Sequence, residues 1–384
     1  MSILPASPAR FARQPYASAP PVTSGEKPTS LRVIQFKSSI ETQPLKIAIL
    51  TVGNDNYAGK NRDIRRLKDV AASRGHQVVV IPASQCQVLL SPSNGVSVLY
   101  QGKPIQVDGV IPRIDCGPEL PAHKPALQVL RAFELQGIPT LDTADGIEAA
   151  HNKFTTMLKL QEYGGINYIP TGYATSEASV DRLLRQFKPN DLFVKLVSGS
   201  EGKLVFRAET KAEARKILNA LYSGDFNAAR EGLAKMAGFI QETLKQGVVI
   251  QPTLTESLGR DYRFVVVGDE VVAAVRRVAK PGEARSNKAL GGTAESIPLS
   301  EINAKYSKHA AFAVQAVKAL GLHSAGVDIM EMKNGLQSEP VISEINPNSP
   351  IELLEQDAKI PFADKYIRCL EKLVAAQKRL SVSA

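Results

Sequence analysis

Tryptophan is absent from the 384-residue chain, aromatic residues make up only 6% of it, and cysteine occurs 3 times. Cys86, Cys116 and Cys369 are odd in number and lack ligand-like spacing, which argues against a disulfide framework and against a zinc site. A reducing cytoplasm is the expected compartment. No run approaches the ~18 uncharged apolar residues that a membrane helix needs, so no membrane partner is expected. The turn after the first strand, Gly53 to Gly59, lacks the dinucleotide glycine fingerprint, which excludes a nicotinamide or flavin site there. No Ser/His/Asp or Cys/His constellation stands out, and His151 and His323, beside apolar positions, read as structural. There is no internal repeat. What remains is a globular balance, 43% hydrophobic and 22% charged, which excludes a wholly disordered chain. The length predicts two or three packed units.

The 47 Lys and Arg against 38 Asp and Glu give a net charge of +9, which suits an anionic partner such as a nucleotide, an acidic peptide or RNA without choosing among them. Met1 to Pro44 hold 7 of the 24 prolines and no sustained apolar period, so residues 1–44 read as a flexible basic tail. Glu26, Glu41 and the prolines spoil an amphipathic transit helix. From Leu45 the pattern changes. Leu45 to Val52 is nearly continuously apolar, as a buried parallel strand is, and Ile64, Leu67, Val70 and Ala71 mark one helix face. Strands follow at Gln77 to Ile81, at Gly109 to Ile114 and at Ile138 to Leu141, with a hairpin signalled by Asn94-Gly95 and Gln101-Gly102 and a helix through Leu127, Val129, Leu130 and Phe133. This alternation predicts an open doubly wound α/β unit over 45–143.

Past helices near Ile147 to Tyr163, strand Asp191 to Leu196 runs through a Ser/Gly loop into strand Lys203 to Ala208. Strand, glycine loop, strand is a hairpin, unlike the strand, loop, helix of a P-loop. Asp261 to Val267 and Glu270 to Val278 form another hairpin, a helix spans Ile302 to Leu320, and strands Ala325 to Met332 and Pro340 to Ile345 close the pattern. The region is α+β.

Two groups of residues carry chemistry. Glu344 and Asn346 are two apart on a strand and share a face, and Asp328 sits on the preceding strand of that hairpin. Two carboxylates and an amide oxygen are hard ligands suited to Mg²⁺, and charges on strands otherwise as apolar as Ala325, Val327, Ile329 and Val341, Ile342, Ile345 need a partner. A solvated polar face is the plainer alternative. The second group is cationic: Lys153 opening a helix, Lys195 ending a strand before the Ser198, Gly199, Ser200, Glu201, Gly202 loop, Arg277 on an apolar strand, and Arg285-Ser286-Asn287 before Gly291-Gly292. A strand-end lysine is usually solvated and a Gly/Ser loop is usually a turn. Together, however, cations and a hard-metal set point to a nucleoside triphosphate.

The order and spacing of these pieces resemble the ATP-grasp superfamily, and within it the RimK family of glutamate ligases. The blocks run from LKIAIL at the start through GVIPRI, Asn152-Lys153, FVKLVSGSEG, GRDYRFVVVGDEVVAAVRR, AKPGEARSN, Gly291-Gly292 and AGVDI to EINPNSP at Glu344 to Pro350. The resemblance covers Leu45 to about Ala376. It implies an ATP-grasp fold over 144–380, with a lid subdomain over about 168–252 and a C-terminal subdomain over about 253–380, preceded by the α/β domain. It implies that Lys153 and Lys195 contact ATP phosphates under a Ser198 to Gly202 lid, and that Gln251, Pro252, Thr253 and Leu254 form the adenine hinge. Asp261, Arg285, Ser286 and Asn287 would help hold the nucleotide, Arg277 and Lys195 would face the transferring phosphate, and Asp328, Glu344 and Asn346 would hold two Mg²⁺ or Mn²⁺ ions. The implied reaction is ATP-dependent amide formation through an acylphosphate, adding glutamate to a C-terminal glutamate of a ribosomal protein or peptide, in a homo-oligomer. A small-molecule ligase of glutathione-synthase type and a nucleotide- or RNA-binding regulator without turnover are the rival readings.

The chain departs from the family pattern in places. Pro252 and Thr253 replace the usual Glu and Tyr of the hinge, so an adenine N–H donor would come from Leu254. The hairpin between Asp328 and Glu344 is longer by about four residues, an even increment expected to preserve facing. The NPNSP end resembles glutathione synthase, Ile351 stands where Gly is frequent, and Ser223 to Gly238 is extra.

Overall fold

The computed structural model describes residues 43–53, 61–114, 123–199, 202–286, 290–334 and 337–383. Most of the expected tail, together with Cys116, Ser200, Glu201 and Asn287, lies outside the described residues.

Strand β1 (Lys46–Thr51) is buried along nearly its whole length because its alternate side chains enter two different cores. Ile47 and Ile49 join Ile64, Leu67 and Val70 of helix α1 (Arg62–Ser73), whose first turn is capped by Asn61 accepting from the Ile64 N–H. Strand β2 (Gln77–Pro82) follows, then a small antiparallel sheet of β3 (Cys86–Ser91), β4 (Gly95–Tyr100) and β5 (Lys103–Pro104), and then β6 (Gly109–Arg113). Ala48 and Leu50 of β1 face the other way, with Val110, onto Leu127, Leu130 and Phe133 of α2 (His123–Leu135). Strands β2, β1 and β6 are parallel in that order, with helices on both faces, as the apolar run predicts.

Ile138 to Leu141 is not the expected strand. It makes a single bridge, Val110 to Thr140, with Pro139 and Leu141 each exchanging one bond with Val110. Pro139 has no N–H to extend a ladder, and Thr143 already caps the next helix, α3 (Ala144–His151). Helix α4 (Lys153–Tyr163) is started by Asn152, whose Oδ1 accepts from Phe154 and Thr155 at 3.0 Å each.

A second sheet comprises β7 (Gly172–Ala174), β8 (Leu192–Leu196), β9 (Val205–Ala208) and β10 (Val248–Pro252), all antiparallel in the order β7-β10-β8-β9. Helices α5 (Glu177–Gln186), α6 (Lys211–Ser223), α7 (Phe226–Ala229) and α8 (Ala237–Leu244) accompany it, the third falling in the extra segment after Ser223. Leu184, Leu218 and Ile240 pack with Val194, Phe206 and Val248 in a core of their own.

The largest sheet has the order β13-β12-β11-β14-β15, built from β11 (Arg260–Val267), β12 (Glu270–Val278), β13 (Thr293–Ile297), β14 (Ser324–Asn334) and β15 (Gln337–Asn346). The helix expected over Ile302 to Leu320 is two, α9 (Leu299–Lys305) and α10 (Ser307–Ala319), broken at Tyr306, whose hydroxyl accepts from Arg276. Ala313, Ala316 and Val317 of α10 cover Phe264, Val327 and Ile345, while the opposite face buries Val265, Val267 and Ala273 in the core shared with α1 and carries Arg263 and Asp328 further along. After α11 (Ile351–Ala358), the long helix α12 (Phe362–Ser383) returns to pack Phe362, Ile367 and Leu370 against β1 and α1, a closure that local sequence did not announce.

Candidate functional site

Strand register assembles the site. Asp261 lies opposite Arg277, Arg263 opposite Asp328, Asp328 opposite Glu344, and Gly326 opposite Asn346. Carboxylates and guanidinium groups therefore alternate across one sheet face. Arg263 grips Asp328 in a fork, Nε to Oδ1 at 2.7 Å and Nη2 to Oδ2 at 2.8 Å, and Arg277 Nη2 reaches the same Oδ2 at 2.9 Å. Arg277 also forks Asp261, at 2.7 and 2.5 Å. Burial alone would push the Asp328 carboxyl up, but Arg263 and then Arg277 overcome it and hold the group down at about 2. Asp328 is thus charged throughout the working pH range.

The facing of Asp328 and Glu344 depends on a bulge. Ile329 pairs with Ile342, but Asp328 pairs with Glu344, so Ser343 is an extra residue, and its hydroxyl donates to the Asp328 carbonyl at 3.0 Å. Without the extra residue Glu344 would face the apolar core. The even lengthening of the hairpin thus does not by itself preserve facing.

Above this face lies a cleft lined by most of the residues singled out from sequence: Lys153, Lys195, Gly199, Gly202, Gln251, Pro252, Leu254, Asp261, Arg277, Arg285, Ser286, Asp328 and Glu344. Lys153 Nζ stands 3.0 Å from Glu344 Oε1 and donates to the Gly199 carbonyl at 3.3 Å, while its own N–H is tied to the Val197 carbonyl at 2.8 Å. Burial pushes the Lys195 ammonium down to about 8, with Glu344 and Asp328 partly offsetting and Lys153 reinforcing the shift. Arg285 is held to Glu283 and donates to the Gly202 carbonyl at 2.8 Å, bridging the glycine loop to the largest sheet.

Several sequence assignments take a different form. Thr253 does not line the cleft; its hydroxyl donates to Asp191 Oδ1 at 2.5 Å and its N–H to the Asp191 carbonyl at 3.0 Å. Ser198 and Asn346 are outside the lining as well, although Asn346 Nδ2 reaches Asp328 Oδ2 at 3.4 Å. Asp261 is engaged by Arg277, so its direct effect is to orient that guanidinium. Arg263 was missed from sequence, and the signal was present: it stands two residues after Asp261 on an apolar strand and must share its face.

Gln251 shows what the hinge end can accept. Its Nε2 donates to Thr171 Oγ1 at 2.9 Å, and that hydroxyl donates to the Ile169 carbonyl at 2.7 Å, which fixes the amide orientation. Gln251 Oε1 is left buried without a partner, an acceptor suited to a purine exocyclic amine. Pro252 supplies only a carbonyl. At the other end, Asp328, Glu344 and Asn346 offer oxygen ligands, the chemistry of Mg²⁺ rather than of a soft metal. Among the described residues no cluster of three or more His, Cys, Asp or Glu side chains forms a metal site. Because Asp328 already accepts from two guanidinium groups and an amide, Glu344 and Asn346 are the freer donors, and Asp328 would join by releasing one contact.

Comparison with known proteins identifies the family. The RimK-like ATP-grasp domain model matches residues 150–370 and the RimK pre-ATP-grasp domain model residues 45–147. A probable alpha-L-glutamate ligase of Aeromonas salmonicida (strain A449) is 35% identical over 335 residues, 87% of this chain and 98% of that protein. Among solved structures, ATP-grasp ligase PsnB complexed with minimal precursor aligns at a TM-score of 0.55 and 18% identity, covering 86% of this chain and 98% of its own. The D-alanine-D-alanine ligase from Coxiella burnetii aligns at 0.54 and 15% identity, covering 88% of this chain and 97% of its own. These two likenesses concern the fold. With both family models matched in order and a curated relative aligned over nearly its whole length, the chain belongs to the RimK-like ATP-grasp family of ATP-dependent ligases.

Proposed function

We propose that this chain joins the amino group of glutamate to a carboxylate at the end of a peptide or protein, a C-terminal glutamate being the favoured acceptor, with ATP converted to ADP and phosphate. The observation that carries the reading is the cleft itself, in which Lys153, Lys195 and Arg277 converge beside Asp328 and Glu344 while Gln251 leaves an unpaired acceptor at the far end. The glutamate part is supported by the relative from Aeromonas salmonicida, named a probable alpha-L-glutamate ligase. A peptide acceptor is supported by the PsnB structure, which holds a minimal precursor.

In this reading an acceptor carboxylate oxygen attacks the γ-phosphorus, the bond to the β-phosphate oxygen breaks and ADP leaves. The amine nitrogen of glutamate then attacks the acyl carbon, phosphate departs with the bonding pair, and the amine gives up its proton. Lys153, Lys195 and Arg277 neutralise charge on the phosphates, and no covalent enzyme nucleophile is needed. Asp261 aims Arg277, and Arg263 locks Asp328. Magnesium, or manganese, bound by Glu344 and Asn346 with Asp328 would supply further neutralisation of phosphate charge; two ions are expected. Closure of the Ser198 to Gly202 loop would keep water from the acylphosphate. Segments 45–143 and 144–380 are proposed as the pre-ATP-grasp and ATP-grasp domains, in a cytoplasmic homo-oligomer. No helix among the described residues is long and apolar enough to cross a membrane.

Incubating the purified chain with Mg-ATP and pooled amino acids, with and without ribosomal proteins or Glu-terminated peptides, tests the reading by mass spectrometry. Glutamate additions tied to ADP release are expected; ADP release without any amide product would refute it.

A further inference from the structure

We infer that the open edge of β3 is where a second copy of this chain docks, the two β3 strands pairing antiparallel across a twofold axis so that both small sheets become one. This pairing is independent of the ligase reading. β3 lies at one end of the order β3-β4-β5, so only one of its sides is paired. Gln101 donates its N–H to the Gln85 carbonyl at 3.2 Å, which makes those two a bonded pair, and Gln87, Leu89 and Ser91 follow as bonded partners of β4 at every second residue. Val88 and Leu90 therefore aim both their N–H and their carbonyl away from β4. Val98, opposite Val88, fixes the same phase, because its carbonyl accepts from the Ile105 N–H at 3.0 Å on the β5 side. The Cys86 carbonyl points outward too, while the Cys86 N–H is already given to the Ala83 carbonyl. Among the described residues no hydrogen bond reaches the outward groups of Val88 and Leu90.

The two edges of this sheet differ. β5 consists of Lys103 and Pro104, a charge and a residue with no N–H, and both discourage strand addition. Other sheet edges also carry charge, Arg207 in β9 and Glu295 in β13. β3 has no such device. Leu89 is 58% exposed and Leu90 72%, with side chains that alternate to opposite faces. No Lys, Arg, Asp or Glu occurs between Arg74 and Lys103, in a chain that is 22% charged.

Charge selects the occupant. Each chain carries +9, so two copies approach most readily through a surface without charge, whereas an anionic partner drawn by that +9 would seek the basic residues this edge lacks. An uncharged strand is its own complement. With the axis through Val88, that residue exchanges both bonds with its counterpart, each Leu90 N–H donates to the Cys86 carbonyl of the other copy, and Leu89 lies beside Gln87 of the other copy. Pro92 on one side and the turn Ala83–Gln85 on the other confine the pairing to this register.

The test is sedimentation velocity and hydrogen exchange on the full chain over about 1 to 100 µM. The wild type should reach twice the chain mass at the upper end, with the Val88 and Leu90 amides protected there and exposed on dilution. The Leu89 amide, turned toward Ser97, should stay protected throughout. Leu90→Pro removes only an outward N–H, so it should keep the circular-dichroism spectrum and raise the dissociation constant about tenfold or more. Leu89→Lys combined with Leu90→Lys sets like charges across the axis and serves if the proline variant does not fold. A wild type that stays monomeric, whatever else covers the edge, would overturn the inference. A dimer that survives Leu90→Pro with the Val88 amide exchanging freely would place the contact elsewhere and overturn it as well. Mass that climbs with concentration and reaches no plateau would mean an unprotected edge prone to aggregation, which is equally fatal to it.

Discussion

Lys195→Met should make the protein more stable and worse at binding nucleotide. Lys195 sits on β8 with its ammonium 5.7 Å from the Phe193 ring centroid, facing Glu344 and Asp328. Its pKa falls from the ordinary 10.5 to about 8, which corresponds to roughly 3 kcal/mol against the charged form. Methionine has a similar length and no charge to desolvate, so unfolding at about pH 7 should require about 1–3 kcal/mol more than in the wild type. The unfolded chain keeps this lysine protonated up to about 10.5 while the folded one releases it near 8. The stability difference is therefore whole below pH 8 and closes as pH climbs toward 10.5. Denaturant titrations at about pH 7 and pH 9.5 read that difference. Affinity for a non-hydrolysable ATP analogue should fall at least about tenfold, because a cation facing the phosphates is gone. In the wild type, analogue binding near pH 8.5 should take up a proton, visible as a dependence of the calorimetric heat on buffer, since phosphates favour the charged ammonium. A variant that is no more stable at neutral pH and binds the analogue normally would refute both the burial argument and the phosphate role.

Glu344→Gln should abolish ADP formation while leaving the melting temperature nearly unchanged, because the amide keeps the volume but loses the charge facing Lys153; near-normal turnover at ordinary magnesium would contradict the metal assignment. Arg263→Met should destabilise the fold by about 2–4 kcal/mol, since Asp328, at 3% exposure, would keep only Arg277 as a cation partner. A double-mutant cycle with Asp328→Asn should recover much of that loss, and additivity of the two substitutions would disprove the pairing. Asp142 is buried, accepts from the His323 and Ser324 N–H groups, and has its carboxyl pushed up to about 7 mainly by burial. Its raised pKa means that stability falls as pH rises from about 4 to 7, so Asp142→Asn should raise the melting temperature near pH 8 and change it little near pH 4. An equal effect at both values would show that the charge is not the cause.

Much of the architecture was legible locally. The unbroken apolar run of β1 requires cover on both faces, and the Ile64, Leu67, Val70 spacing admits one helix orientation, so the parallel sheet and its first helix follow from periods of 2 and 3.6. Lys195 before a glycine loop and Glu344 two residues from Asn346 were readable because each pattern lies within a few residues. What only the tertiary structure decided involves partners far apart in sequence. The bulge at Ser343 that turns Glu344 toward Asp328 depends on how two strands pair. Thr253 turns to Asp191, 62 residues away, and Arg263 meets Asp328 across 65. Arg230 and Arg285 share the Val205 carbonyl only because the edge of β9 comes to lie between them. Side-chain alternation records which residues can share a face, whereas register, bulges and edges are set by strand pairing between distant segments, which no local pattern encodes.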